Sequence, residues 1–165
     1  ITLSPEKAVL VFKGELVEGE SHIAYTETVT LMPGNHLALQ TTFTAHSDLN
    51  LRMWRQYLGF PVRLYAGALA TAAGKRQILP EALGEATLLP ASRDMMLAGP
   101  RADIMITSSV PMGLVDHRQW NTPEYLLAGY PLSGQVPAGT ELTVKMTVLV
   151  TAKQTNVSEN DRNTP

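Results

Sequence analysis

Leu142-Thr143-Val144-Lys145-Met146-Thr147-Val148-Leu149-Val150-Thr151-Ala152 is the stretch on which the fold turns. Leu142, Val144, Met146, Val148, Val150 and Ala152 share one face, and Thr143, Lys145, Thr147, Leu149 and Thr151 share the other. Side chains alternate across a strand, so apolar residues at every second position bury one face. The reading is a core strand with Leu142, Val144, Met146, Val148 and Val150 turned inward. It starts after Pro137-Ala138-Gly139-Thr140, where Pro presets φ and Gly permits positive φ.

The same period of two appears upstream. Ile23, Tyr25, Val29 and Leu31 alternate with Thr26, Thr28 and Thr30, and Leu37, Leu39, Thr41, Phe43 and Ala45 alternate with their neighbours. Met32-Pro33-Gly34-Asn35 between them is a turn signal, so the two runs form a hairpin. Glu27 interrupts the apolar face of the first run and predicts a bulge or strand end. Weaker strands are Val9–Phe12, stopped by Lys13-Gly14; Leu58–Ala66, demoted to an edge or a bulge by Pro61; and Asp103–Thr107. Ser47 suits a helix cap for 48–58, although Leu49, Leu51 and Met53 fit a strand equally well. Pro80–Leu83 and Thr122–Leu127 each place Pro at a first helical position and predict short helical turns. The segment 67–100, rich in Ala, Leu, Gly and Pro, reads as a long connection.

Six or seven strands in one domain predict an all-β fold, an immunoglobulin-like or jelly-roll β-sandwich with a few short helical turns. The expected organisation is a single domain over 1–152, with 1–12 as a donor or edge-strand arm, and a polar, mobile tail over 153–165.

Composition excludes several classes. The 165 residues suffice for one core without staples. There is no Cys, hence no disulfide, thiolate metal site or Cys nucleophile. Net charge is −2, and the densest basic clusters are Lys75-Arg76 and Arg52 with Arg55, a poor platform for nucleic acid. No apolar run reaches the ~20 residues of a transmembrane helix. Charged residues are 17% of the chain, which suits a surface covered by neighbours in an assembly. Starting at Ile1, the chain reads equally as a mature form after signal-peptide removal or as a trimmed one.

Chemistry-bearing motifs are missing. Gly67 to Gly74-Lys75-Arg76 has the wrong spacing for a phosphate loop and Arg where a hydroxyl should stand. No nucleophile elbow, zinc helix or dinucleotide loop is present. His22, His36, His46 and His117 match no ligand spacing; His46 with Asp48 and Asp116 with His117 are the pairs that suit a metal or acid–base site. Glu15, Glu18 and Glu20 read as solvated turn charge. Trp54, Tyr57, Trp120, Tyr125 and Tyr130 read as core packing, with sugar or partner binding as the alternative. The expectation is a protein that is not an enzyme, with no catalytic residue, metal or cofactor.

The segment from Val136-Pro137-Ala138-Gly139-Thr140 through Val150 resembles the end of chaperone–usher pilus (fimbrial) subunits, which close on a Pro/Gly turn and a long alternating strand. The resemblance covers about 15 residues and departs at the polar tail and at Pro5. It implies an incomplete immunoglobulin-like sandwich completed by a neighbour's N-terminal arm, through main-chain pairing and pockets for alternate side chains. Ile1, Leu3, Val9 and Val11 share parity and are the candidate assembly residues. The implied protein is a structural or adhesive surface protein, secreted into a fimbrium, self-associating into a homo-oligomer or filament and handled by a periplasmic chaperone. A jelly-roll capsid protein of a virion and a small metal-binding or enzymatic module are the alternatives.

Overall fold

The computed structural model describes residues 2–4 and 6–153; Ile1 and the tail from residue 154 onward lie outside the described residues. The strands are β1 (Thr2–Leu3), β2 (Ala8–Glu18), β3 (Ser21–Met32), β4 (His36–Ala45), β5 (Leu49–Pro61), β6 (Leu69–Ala72), β7 (Lys75–Ile78), β8 (Thr87–Ala98), β9 (Ala102–Asp116), β10 (Glu124–Val136) and β11 (Glu141–Ala152). A single helical turn, α1 (Val62–Tyr65), follows β5, and a 3-10 turn, His117–Trp120, joins β9 to β10. The fold is all-β and sandwich-like.

The strands are antiparallel in the order β1-β2-β3-β4-β11-β9-β8-β6-β7. The fifteen residues of β9 serve two layers. Its first half pairs β11 from Ala102 to Ser108, and Gly113–Asp116 turns to pair β10, which also pairs β5. The β5–β10 ribbon thus lies over the long sheet. Phe60, Tyr125 and Leu127 from the ribbon pack with Met95, Leu97, Ile104, Ile106, Met146 and Val148 from the sheet. A smaller core joins Ile23, Phe43 and Ala45 to Leu49 and Val136, where the Trp54 ring stands edge-on to Phe43 at 4.9 Å.

Strand β11 is central, between β4 and β9. Val144, Met146 and Val148 are buried, Leu142 and Val150 half-buried, and Lys145 and Thr147 exposed. The hairpin β3–β4 closes at Met32↔His36, with Gly34 and Asn35 at φ +77° and +57°.

Several local expectations are corrected. Glu27 makes no bulge: β3 runs straight through it, with Phe12 opposite on one side and Thr41 on the other. Lys13-Gly14 does not stop β2, because Gly14 is where the Tyr25 ring lies across the strand; a Cβ there would sit 2.5 Å from that ring. Residues 49–61 form a strand, not a helix, and Pro61 ends it, since Pro lacks the N–H that a ladder needs. Residues 124–127 are strand, because Tyr125, Leu126 and Leu127 pair on both sides. The presumed connection 67–100 holds β6, β7 and β8, and 80–83 has no helix.

The N-terminal arm also differs from expectation. Thr2 and Leu3 pair antiparallel with Val9 and Ala8 of the same chain, and β2 pairs with β3 over its whole length. Val9 and Val11 therefore belong to the chain's own sheet, Val9 half-buried and Val11 exposed. Ile1 lies outside the described residues.

Candidate functional site

Two clusters combine an imidazole with a carboxylate. The first is built at the β9–β10 junction. Asp116, the last residue of β9, is fully buried and accepts from Arg118 twice, Nε to Oδ1 at 2.8 Å and Nη2 to Oδ2 at 2.6 Å. The Arg118 backbone N–H also reaches Oδ1 at 3.2 Å, capping the 3-10 turn. Guanidinium N–H groups left over donate to the carbonyls of Pro80 at 2.9 Å, Glu81 at 2.5 Å and Ala82 at 3.2 Å. The Tyr125 hydroxyl donates to the same Pro80 carbonyl at 2.6 Å. Hydrogen bonds from Arg118 hold the Asp116 carboxyl below its ordinary range, against the opposing effect of burial, and burial pushes the Tyr125 phenol up.

That buried ion pair fixes the backbone of the turn that carries His117 and Trp120. Asn121 then adopts φ +60°, a left-handed conformation that Asn tolerates, and turns the chain back. Glu124 consequently returns beside His117: Nδ1 lies 3.2 Å from Oε1. The two side chains are 16% and 25% exposed. Glu124 needs Gly59 on the neighbouring β5, because a Cβ there would collide with its carboxylate. The Trp120 ring, 59% exposed, has its centroid 5.6 Å from that of His117. The result is a half-buried acid–base pair next to an exposed indole.

The second cluster lies on β2–β3. His22 Nε2 is 3.3 Å from Glu15 Oε2, and its ring lies 4.6 Å from that of His46. Here the side chains of His22 and Glu15 are 38% and 66% exposed. The hairpin end beside them borders a cleft of about 570 Å³ against the start of β5, lined by Leu16, Ser21, Ile23, Leu49 and Arg52 among others.

The residues nominated for a metal or acid–base module are not gathered. His46 lies tilted against the His22 ring, Asp48 accepts from the Ala138 N–H at 2.8 Å, and Asp116 is consumed by Arg118. Among the described residues no group of three His, Asp or Glu side chains is placed to hold a metal. Only His117 falls in a built site, and its partner Glu124 was read as part of a helical turn. The signal for that pair was weak: seven residues separate His117 and Glu124, and a strand start supplies the contact.

No family model and no curated relative matches the chain. Solved structures do. Galactose 1-epimerase from Lactobacillus acidophilus NCFM superposes with a TM-score of 0.67 at 9% identity, over 93% of this chain and 65% of that one. A putative mutarotase from Salmonella typhimurium gives 0.59 at 8% identity, over 92% and 63%. The aldose epimerase homologue from C. elegans gives 0.57 at 10% identity, over 93% and 68%. The likeness is one of fold. This chain spans about two-thirds of the length of those proteins.

The pilus resemblance is corrected by these neighbours. A Pro/Gly turn before a long alternating strand is generic to antiparallel sandwiches, and here it belongs to an epimerase-like sheet. The structural, adhesive and fimbrial reading falls with it. So do the secreted or virion placement and the expectation that the chain is not an enzyme, since both leaned on that family and on absent motifs.

Proposed function

We propose that the chain acts on sugars, interconverting the anomers of an aldose at the His117–Glu124 pair. The observation that carries this reading is a half-buried imidazole–carboxylate pair beside an exposed indole, on a fold shared with sugar epimerases. Anomer exchange needs no cofactor, only proton transfer at two oxygens. A base takes the proton of the C1 hydroxyl, an acid protonates the ring oxygen, and the C1–ring-oxygen bond breaks to give the open aldehyde. Rotation about the adjoining C–C bond and closure on the other face, with the roles reversed, return both protons.

Each residue suits one part of that cycle. Glu124 Oε1 faces His117 Nδ1, which orients the ring and leaves Nε2 as the atom that exchanges a proton with substrate. Glu124 Oε2, in the space over Gly59, is the acceptor for the C1 hydroxyl proton. Trp120 offers an apolar plate for the C–H face of a pyranose. Asp116 and Arg118 touch no substrate; they are positioning residues that hold the turn.

The test is polarimetry on freshly dissolved α-D-galactose and α-D-glucose. Wild-type protein should speed the approach to equilibrium. Glu124→Gln and His117→Ala should each slow the catalysed rate by roughly 10²–10⁴-fold, the usual worth of a general acid or base. Absence of acceleration with a panel of aldoses, or full activity in both variants, overturns the reading.

A further inference from the structure

We propose that β2 is a self-complementary edge through which two copies of this chain join in an antiparallel, two-fold pair. At one border of the sheet β2 is flanked on its outer side only by the two-residue β1. Among the described residues, β1 covers only Ala8 and Val9, leaving the nine positions from Leu10 to Glu18 uncovered. That open edge is apolar: Phe12, Leu16 and Val17 are all more than half exposed and Val11 nearly so. An edge of this length with exposed apolar side chains is a template for another strand, and its charges, Lys13 and Glu15 at the centre and Glu18 at the end, restrict which strand it accepts.

The sequence of the edge, Val11-Phe12-Lys13-Gly14-Glu15-Leu16-Val17, is a palindrome in chemical character. A two-fold axis at Gly14 sets Lys13 opposite Glu15 of the second copy and Glu15 opposite its Lys13. Phe12 then faces Leu16, and Val11 faces Val17. Gly14 is also the midpoint of the uncovered stretch, so the second strand fills it from end to end and stops where β1 begins.

Backbone geometry selects the same register. The β2–β3 hairpin has a two-residue turn, Gly19-Glu20, between Glu18 and Ser21, with Gly19 at φ +59°. The closing pair of such a hairpin is hydrogen-bonded, and bonding alternates along the strand. Val11, Lys13, Glu15 and Val17 therefore aim their N–H and C=O groups at the open edge, as Val9 does toward Thr2. Only registers pairing odd with odd positions use those groups. Moving the axis to Lys13 or to Glu15 keeps that parity but sets Lys13 against Lys13 or Glu15 against Glu15, which is destabilising. The axis at Gly14 is the register in which hydrogen bonds, charges and apolar side chains agree. It also places the two Tyr25 rings, each lying across its own Gly14, on either side of the axis.

The experiment is sedimentation equilibrium with circular dichroism as the check on folding. Wild type should dimerise in the micromolar range. Lys13→Glu and Glu15→Lys should each weaken dimerisation about tenfold or more, because two attractive pairs become two repulsive ones. The double variant Lys13→Glu/Glu15→Lys should regain the dimer. An equimolar mixture of the two single variants should form a heterodimer, since every cross-pair is then attractive. A wild type that stays monomeric, single variants that dimerise like wild type, or folded single variants that fail to pair when mixed would each overturn the proposal.

Discussion

His117–Glu124 and His22–Glu15 have the same two chemical groups at nearly the same separation, 3.2 and 3.3 Å, yet they are built differently. The first rests on a fully buried Asp116 paired with a half-buried Arg118, which ties the turn to three carbonyls of the 80–82 segment. The second bridges two strands near a sheet edge, in water, with only another imidazole beside it. Position in the fold, not residue type, separates a half-buried, braced pair from a solvated one. An exposed pair contributes about 0–1 kcal/mol and loses much of that to side-chain entropy and screening. A buried pair is costly to break, because the surviving charge has no water.

The largest expected contrast follows from that support. Arg118→Met leaves the buried Asp116 carboxylate without its cationic partner, with only a backbone N–H to satisfy it, and should cost about 3–5 kcal/mol in urea unfolding. His22→Ala should cost under about 1 kcal/mol in the same measurement. Equal losses would erase the distinction between the two sites.

Next in size is acid sensitivity. Asp116 holds its proton less tightly folded than unfolded, so the unfolded chain binds more protons between the two pKa values. The stabilisation is complete above the ordinary carboxylate value of 3.8 and is lost as pH falls from there through the lowered folded value. Urea midpoints taken from pH 7 downward should hold until about pH 5 and then drop. In Asp116→Asn that component of the drop should be missing, from a lower starting stability.

A smaller effect, on activity rather than stability, sharpens the role of Gly59. Gly59→Ala would push the Glu124 carboxylate off its seat. The rate of anomer equilibration should fall by about tenfold, because catalytic geometry tolerates little displacement. Substitution at Gly19, whose surroundings are open, should leave that rate unchanged.

What could be read from the sequence follows the same division between local and long-range causes. The alternation in 142–152 and in the Ile23–Ala45 hairpin is a local pattern with one buried face, and both regions are strands as expected. Glu27 and Gly14 misled because their environments come from other strands: Glu27 sits between Phe12 and Thr41, and Gly14 receives the Tyr25 ring. Pro123-Glu124 looked like a helix start because nothing local announces pairing with Pro61 and Phe60, more than sixty residues upstream. The candidate site was hidden for the same reason. His117 was visible as a titratable residue, but Glu124, Gly59 and the 80–82 carbonyls meet it only through the sheet.

The most direct test of the account is a sugar titration followed on the imidazole resonances of 15N-histidine-labelled protein. His22, His36, His46 and His117 give four reporters, three of them in the clusters compared above. The account predicts that an aldose shifts His117 in a saturable manner, that His22 and His46 stay unmoved, and that Trp120→Ala weakens the response. Saturable shifts confined to His22 and His46, or none at His117 with a sugar whose mutarotation the protein accelerates, would contradict it.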